Sequence, residues 1–337
     1  MKIAVIGAGA IGGFVGAKLA QAGEEVTFLV RGASLAAIRA NGMKLIGPDA
    51  VETIVGSVEA TDEYGRAGVH DLVILAVKAH QLIDVAHEVP KLLGPQTVVV
   101  PMQNGIPYWY FYRHGGELDG RVVRSVDPDG RIGAMIPPER VVGCVVYPAS
   151  ELLAPGVVRH VEGDRFPIGE PDGSTSARAV RVSECFTRAG FKSPVLENIR
   201  AEIWLKLWGN LTFNPISALS RSTLSDICRF PLSRDLAAAM MTEAQTIANR
   251  LGITFRVSLE KRIAGAERVG AHKTSMLQDV EAGRVPEVDA LVGSVVELGR
   301  LTDTATPHID AVYALTKLLA WTMEQQRQGA AAGPAAH

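Results

Sequence analysis

Hydrophobic residues in the first half of the chain form short continuous runs, and stretches with helical spacing separate these runs. The runs at residues 3–6, 73–77 and 97–100 are rich in β-branched side chains. Parallel strands that are covered by helices on both faces have this pattern. The alternation therefore predicts a doubly wound α/β sheet.

The first predicted strand leads into a glycine-rich turn and a segment that we expect to be an amphipathic helix. The turn consists of Gly7, Ala8, Gly9, Ala10, Ile11 and Gly12. Gly7 permits a tight turn, Gly9 leaves the backbone N–H groups open to a pyrophosphate, and Gly12 allows close helix packing. This order of strand, glycines and helix predicts a bound dinucleotide. A glycine-rich turn without a ligand is the alternative.

The second predicted strand, residues 24–30, ends at Arg31. NAD-binding proteins place an acidic residue near this point, where it binds the ribose 2′-hydroxyl group. A guanidinium group pairs instead with a 2′-phosphate, so Arg31 favours NADP(H) over NAD(H) as the cofactor. A solvated loop arginine is the alternative interpretation.

The later part of the chain changes from strands to helices. Residues 157–161 and 166–169 are predicted to form a β-hairpin, before a helix at 176–188 and a short strand at 192–195. We therefore predict a Rossmann-type domain at residues 1–197, an all-helical domain at 198–328 and a disordered tail at 329–337. The helices are expected near residues 200–220, 232–250, 256–270, 286–302 and 307–327.

Composition excludes several classes of function. The net charge of −2 over 337 residues and the pI of about 6.5 indicate no basic surface for nucleic acid or an anionic membrane. Cys144, Cys185 and Cys228 have no C-x-x-C spacing, so we expect reduced thiols and no metal site. The absence of a signal peptide and of an 18-residue apolar run predicts a cytoplasmic protein.

A row of polar residues marks the first long helix of the second half. Glu202, Lys206, Asn210 and Asn214 are four residues apart and share one helix face, whereas their neighbours are mostly apolar. Asparagine is unfavourable inside a helix and a buried polar row needs partners, so this face is interpreted as a ligand site. An exposed Glu202–Lys206 ion pair is the alternative. Pro215 predicts a kink or break at Asn214.

These features together resemble the ketopantoate reductases (2-dehydropantoate 2-reductases) over nearly the whole chain. The resemblance implies NADPH-dependent reduction of a 2-oxo acid, ketopantoate, to pantoate, on the route to pantothenate and coenzyme A. It also implies a homodimer formed through the helical domain. The matching motifs are residues 7–12, Val77-Lys78, Gln103-Asn104-Gly105, the helix from Glu202 to Pro215, and Ser275 to Asp279 followed by Glu287.

On the substrate side, the resemblance implies that Lys206 is the general acid. It further implies that Asn210 and Asn214 bind the substrate and that Ser275 binds its carboxylate end. An ammonium group in a closed cleft can stabilise and then protonate the alkoxide that hydride transfer produces. These roles therefore make chemical sense for a 2-oxo acid reductase.

On the cofactor side, the resemblance places Lys78, Asn104 and Glu287 around the nicotinamide and its ribose. Lys78 follows a predicted strand and would point into the crevice where open α/β sheets bind ligands. An ordinary loop lysine and an ordinary turn are the alternative interpretations of Lys78 and of Gln103-Asn104-Gly105. Without the resemblance, Glu287 is a carboxylate in a first helical turn, favoured by the helix dipole.

The substrate side departs from the better-known members of the family at two positions. Leu224 and His272 stand where those members have asparagine. A paralogue that reduces a different, bulkier 2-oxo acid is therefore the second functional hypothesis. A dinucleotide-binding sensor without turnover is the third, and such a sensor would have no need for Lys206.

The connection from Gly105 to about Pro138 looks longer than is usual in the family, and aromatic residues are concentrated at 108–112. We hypothesise that this insertion forms a lid or wall on the substrate cleft. Packing of its rings against the protein's own surface, or against a second subunit, is the alternative.

Overall fold

A computed structural model describes the backbone of residues 1–331 and the side chains up to residue 328. Internal contacts divide this part of the chain into two compact units. The first unit comprises Met1–Val123 and Asp127–Glu202, and the second comprises Arg124–Val126 and the chain from Ile203 onward. The domain boundary at residues 197 and 198 stays a prediction, and the division by contacts falls after Glu202.

The first unit has an α/β architecture in which strands and helices alternate. Short 3₁₀ turns at Ala79–Gln81, Val89–Leu92, Gly116–Leu118 and Pro138–Arg140 occur in its connections. Its elements are β1 (Lys2–Ile6), α1 (Ala10–Gln21), β2 (Glu25–Leu29), α2 (Gly32–Asn41), β3 (Met43–Ile46), β4 (Glu52–Val55), β5 (Val58–Thr61), α3 (Tyr64–Ala67), β6 (His70–Leu75), α4 (Leu82–Ala86), β7 (Leu93–Pro101), α5 (Arg131–Met135), β8 (Gly143–Cys144), β9 (Ala149–Ala154), β10 (Val157–Glu162), β11 (Ile168–Gly169) and α6 (Ala177–Arg188).

Five strands form a parallel sheet in the order β5-β2-β1-β6-β7. The chain moves outward from β1 on one side and then returns to build the other side, so the strand order reverses between β1 and β6. Open sheets of this kind bind ligands outside the carboxyl ends of the strands at the reversal. The predicted doubly wound fold is confirmed, and the glycine-rich turn lies at this edge.

Helix α1 is buried between two sheets. A Cβ at Gly16 would lie 2.5 Å from the Phe28 ring of the parallel sheet. A Cβ at Gly13 would lie 2.7 Å from Val158 of the second sheet, which has the order β4-β3-β10-β9. The prediction of an amphipathic helix was wrong because both faces of α1 are covered and both require small or apolar residues.

The predicted hairpin was also wrong, because residues 157–161 and 166–169 do not pair with each other. β10 pairs antiparallel with β9, whereas β11 pairs with β8. β9 escaped prediction because its residues are half-buried or exposed and form no apolar run. The predicted helix at 176–188 is present as α6, and its start is capped by Ser176, whose hydroxyl accepts a hydrogen bond from the Ala179 N–H group.

The second unit is helical, and its first helix begins in the first unit. Its elements are α7 (Ile199–Ser220), α8 (Leu224–Arg229), α9 (Pro231–Arg250), α10 (Leu259–Val269), α11 (Ser275–Glu281), a π turn (Asp289–Gly293), α12 (Ser294–Leu301) and α13 (Pro307–Ala331). The regular helix expected from residue 286 is therefore replaced at its start by a π turn. Regular 3.6-residue spacing carries no signal of such a wider turn.

Two further predictions need correction. α7 continues through Pro215, so the break at Asn214 is absent, and the residues from Leu211 to Ala218 around it are buried. The kink at Asn214 stays a prediction. α13 continues to Ala331, three residues into the predicted disordered tail. Residues 332–337 of that tail lie outside the described residues.

Other sequence-based expectations concern membranes, metals and thiols. None of the helices formed by residues 1–331 combines the length and hydropathy needed to cross a bilayer. The same residues contain no group of three His, Cys, Asp or Glu side chains suited to a metal ion. Cys144, Cys185 and Cys228 are all buried, and burial raises the pKa of the Cys185 thiol to about 12.

Candidate functional site

The three glycines of the turn after β1 are needed for three different reasons. Gly7 has a φ of 95°, a conformation that favours glycine. At Gly12 a Cβ would lie 2.0 Å from the Gly7 carbonyl oxygen, so a side chain would push α1 away from the turn. At Gly9 a Cβ would meet no protein atom within 4 Å. Packing does not require glycine at position 9, so its backbone faces space that a ligand can use.

Gln103 joins the segments that follow β6 and β7. Its side-chain amide donates hydrogen bonds to the carbonyl oxygens of Leu75 and Val77, both at 2.9 Å. Gly105 ends the motif with a φ of 91°, where glycine is again favoured. No role was predicted for Gln103. The sequence feature that could have indicated its role is an amide residue between the end of the strand at 97–100 and Gly105.

Lys78 and Asn104 lie on these two joined segments, one residue beyond Val77 and Gln103 respectively. Both side chains are half-buried and both make further interactions. Because β1, β6 and β7 are adjacent and parallel, Lys78, Asn104 and the glycine-rich turn share one edge of the sheet. The structure thus brings together the predicted cofactor residues of these three segments.

Arg31 lies at the same edge, between β2 and α2. Its side chain is exposed, and among residues 1–328 its guanidinium group forms no hydrogen bond or ion pair. Burial raises the pKa of Tyr64 to about 12, and the positive charge of Arg31 opposes that rise. The guanidinium is therefore close to Tyr64 and keeps its hydrogen-bond donors available for an anion.

The predicted substrate residues of α7 belong to the second unit. Lys206 and Asn210 are half-buried, and Asn214 is 5% exposed. The Asn214 amide lies 3.5 Å from the hydroxyl oxygen of Ser275, the first residue of α11. An ammonium group and two amides on one face, with a hydroxyl at the end, can bind a polar anionic molecule and donate a proton to it.

Glu202 begins the same row but belongs to the first unit. Its carboxylate is ion-paired with Arg165 and accepts a hydrogen bond from the Tyr147 hydroxyl at 2.8 Å. Burial and this hydrogen bond raise the pKa of Tyr147. The Glu202 side chain is 14% exposed, so the alternative of an exposed ion pair is wrong for this residue. The Glu202 carboxylate thus fixes the first turn of α7 to Arg165 and Tyr147.

Glu287 lies in the second unit, two residues before the π turn at Asp289–Gly293. It is half-buried and makes further interactions. The alternative interpretation places Glu287 in the first turn of a regular helix, where the helix dipole favours a carboxylate. The turn that follows Glu287 is instead a π turn. The place of Glu287 beside the nicotinamide stays a prediction.

The aromatic insertion packs inside the first unit. Tyr108, Trp109, Tyr110 and Phe111 are each less than 10% exposed. The Tyr108 hydroxyl donates a hydrogen bond to the Ile136 carbonyl at 3.0 Å. This packing favours the alternative interpretation, in which the rings pack against the protein itself, over the hypothesis of a lid.

Arg200, the second residue of α7, shows what the insertion does. Its guanidinium group donates hydrogen bonds to the carbonyl oxygens of Tyr110 at 2.7 Å, Tyr112 at 2.6 Å and Pro171. The same group lies 5.7 Å from the centre of the Tyr110 ring, and burial lowers its pKa. The insertion therefore fixes the start of α7 through its backbone carbonyl groups. An arginine in a first helical turn gives no sequence signal for such a role.

The two departures on the substrate side are neighbours in the second unit. The Leu224 N–H group donates a hydrogen bond to the His272 carbonyl at 3.0 Å. Both side chains are half-buried. The two positions at which the resemblance would place asparagines are thus neighbours along the backbone.

Family models match both halves of the chain. The model "Ketopantoate reductase PanE/ApbA" matches residues 3–173, and "Ketopantoate reductase PanE/ApbA C terminal" matches residues 198–320. A 2-dehydropantoate 2-reductase from Mesorhizobium japonicum is 52% identical over 321 residues, which cover 95% of this chain and 98% of the relative. A 2-dehydropantoate 2-reductase from Pyrococcus horikoshii is 30% identical and covers 94% and 97% respectively.

Solved structures with the same fold cover nearly the whole chain. A protein from Ralstonia solanacearum MolK2, assigned to the ketopantoate reductases, has a TM-score of 0.92 at 41% identity and covers 96% of this chain and 98% of its own. D-mandelate dehydrogenase, solved with NADH and anilino(oxo)acetate, has a TM-score of 0.82 at 22% identity and covers 96% and 99%. The second likeness concerns the fold alone.

Proposed function

The chain belongs to the ketopantoate reductase family, and we propose that it reduces 2-dehydropantoate to pantoate with NADPH. The two family models and the 52% identical relative support this assignment. In the structure, the observation that carries the proposal is the row of Lys206, Asn210 and Asn214 on α7, which meets Ser275 at its end. This face offers a proton donor and fixed polar groups to a 2-oxo acid.

The edge of the parallel sheet fits a dinucleotide. The open space at Gly9 allows phosphates to approach the backbone at the start of α1, where the helix dipole favours negative charge. Arg31 would hold the 2′-phosphate of NADPH, because its guanidinium group is exposed at the end of β2. Lys78, Asn104 and Glu287 would bind the nicotinamide end.

When bound, NADPH supplies the hydride that is added to the keto carbon of the substrate. The Lys206 ammonium would donate a hydrogen bond to the keto oxygen, stabilise the negative charge that develops there and give up a proton to form the hydroxyl group. Asn210, Asn214 and Ser275 would orient the substrate and so lower the entropic cost of reaction. The pairing of Asn214 with Ser275 supports this role.

The second candidate function is the reduction of a different, bulkier 2-oxo acid. Leu224 and His272, which a backbone hydrogen bond brings together, favour this alternative, because they stand where the better-known members have two asparagines. A less polar pocket would prefer a larger apolar substituent on the 2-oxo acid. A dinucleotide sensor without turnover stays the third candidate.

A screen of NADPH oxidation with a panel of 2-oxo acids distinguishes these functions. The panel should contain ketopantoate, 3-methyl-2-oxobutanoate and a phenyl-substituted 2-oxo acid, with NADH in parallel reactions. The proposed function predicts the highest kcat/KM for ketopantoate with NADPH. A higher value for the phenyl-substituted acid would establish the second candidate, and no oxidation with any acid would establish the sensor.

We further propose that the protein works in the cytoplasm as a homodimer with a small-molecule substrate as its partner. A Staphylococcus aureus ketopantoate reductase described as dimeric shares the fold, with a TM-score of 0.73 at 23% identity. Sedimentation equilibrium at micromolar concentration tests the oligomeric state. A mass of one chain at all concentrations would contradict the dimer.

A further inference from the structure

The π turn at Asp289–Gly293 lies between Glu287 and the regular helix α12. A π turn spans one residue more than an α-helical turn, and such turns are rare and occur frequently at functional sites. One residue corresponds to a rotation of about 100° around a helix with 3.6 residues per turn. The direction of Glu287 relative to α12 therefore depends on whether this wide turn is maintained.

Helix α13 binds both carboxylate oxygens of Asp289, the first residue of the π turn. The Tyr313 hydroxyl donates a hydrogen bond to Oδ1 at 2.7 Å, and the Lys317 ammonium group lies 2.9 Å from Oδ2. The ion pair contributes little, because its two side chains are 47% and 41% exposed. Burial and the hydrogen bond to Asp289 raise the pKa of Tyr313, so its hydroxyl stays a donor at neutral pH. Tyr313 is therefore the more important partner of Asp289.

The last residue of the π turn makes room for this tyrosine. A Cβ at Gly293 would lie 3.0 Å from both Cε2 and the hydroxyl oxygen of Tyr313, and 3.2 Å from Oδ1 of Asp289. These distances are shorter than the optimal separation of about 3.5–4.0 Å between carbon atoms. A side chain at position 293 would therefore push the Tyr313 ring away from the Asp289 carboxylate. The first and the last residue of the π turn thus both fit Tyr313.

Buried neighbours fix the short segment that carries Glu287. Pro286 and Val288 are both buried, and the Val288 N–H group donates a hydrogen bond to the Pro286 carbonyl at 3.1 Å. Glu287 is half-buried, and only Val288 separates it from Asp289. A change in the π turn is therefore expected to reach Glu287 directly.

We propose that Tyr313 is a positioning residue, which holds Asp289, maintains the π turn and so sets the direction of Glu287 toward the nicotinamide end of NADPH. The inference rests on the proposed function, which gives Glu287 that place. Tyr313 acts without touching the cofactor. Loss of its hydroxyl allows Glu287 to take other directions, and the apparent affinity for NADPH falls with the fraction of molecules that remain competent to bind it.

The dissociation constant for NADPH, measured by fluorescence titration without substrate, tests this role independently of turnover. We expect Tyr313→Phe to raise this constant by about 3- to 10-fold, the effect of losing one hydrogen bond. Asp289→Ala and Gly293→Ala should weaken binding similarly. Asp289→Asn should restore nearly wild-type binding, because its amide oxygen still accepts a hydrogen bond from the tyrosine. Arg327→Met, at an exposed position on α13, is the matched control and should leave the constant unchanged.

A double-mutant cycle with Glu287→Gln separates positioning from a general loss of structure. Glu287→Gln alone should raise the dissociation constant by about tenfold, as expected for a lost charged hydrogen bond. In that background Tyr313→Phe should add less than about twofold, because the group that it positions is already altered. Thermal unfolding checks that each variant folds, and Tyr313→Phe decides the result if Gly293→Ala does not fold.

Three results would overturn the inference or its premise. Independent, multiplicative effects of Tyr313→Phe and Glu287→Gln would show that Tyr313 does not act through Glu287, as would an unchanged dissociation constant in Tyr313→Phe. An unchanged constant in Glu287→Gln would remove Glu287 from the cofactor site, and the inference with it. A wild type that binds NADPH but reduces no 2-oxo acid would overturn the proposed function instead, and the coupling between the two residues would still be measurable.

Discussion

Two regions of the molecule carry the predicted chemistry, and different features of the chain determine them. At the edge of the parallel sheet, backbone geometry decides which residues are allowed: Gly7 needs a positive φ and Gly12 cannot carry a Cβ. On α7 the backbone is regular helix, and the side chains of Lys206, Asn210 and Asn214 define the proposed substrate site. The first region is therefore tested by adding atoms, and the second by removing functional groups.

Removal of the Lys206 ammonium group should have the largest effect. We expect Lys206→Ala to lower kcat by about 100-fold or more, because both the proton donor and the charge that stabilises the oxyanion are lost. The dissociation constant for NADPH, measured by fluorescence titration, should change little. Lys261→Ala, an exposed lysine on α10, is the matched control. Near-normal turnover in Lys206→Ala would remove this residue from the mechanism.

Added methyl groups should separate two of the glycines in the turn after β1. Gly9→Ala should raise KM for NADPH by about tenfold or more and leave the melting temperature unchanged, because its Cβ meets ligand space only and its φ of −71° allows alanine. Gly12→Ala should lower the free energy of unfolding by about 1–3 kcal/mol, because its Cβ overlaps the Gly7 carbonyl oxygen. Equal melting temperatures for the two variants would contradict this distinction.

The sequence predicted those parts of the site that depend on local spacing. The glycine-rich turn, the segment Val77-Lys78 after β6 and the polar row of α7 each follow from a short stretch of chain. Gln103 and Arg200 escaped prediction because their partners are backbone carbonyls far away in the sequence. The pairing of β9 with β10 escaped for a related reason, since half-exposed strands have no apolar signature.

Arg31 tests whether a side chain also sets selectivity at the edge of the sheet. Arg31→Ala should raise KM for NADPH by about tenfold and leave KM for NADH nearly unchanged, because only NADPH loses a phosphate partner. Arg66→Ala removes another exposed guanidinium group of the first unit, 76% exposed, and serves as the control. Equal changes for both cofactors in Arg31→Ala would show that Arg31 does not bind the 2′-phosphate.

The smallest effect on turnover is expected at Arg200, whose guanidinium group joins the start of α7 to the insertion. Arg200→Met removes the hydrogen bonds to Tyr110, Tyr112 and Pro171, and each buried carbonyl left without a partner costs about 1–3 kcal/mol. The melting temperature should therefore fall by several degrees, whereas the order of preference among 2-oxo acids should stay that of the wild type. Arg181→Met, at an exposed position on α6, should change neither. A reordered substrate preference in Arg200→Met, with an unchanged melting temperature, would favour the lid hypothesis for the insertion over its role in fixing the start of α7.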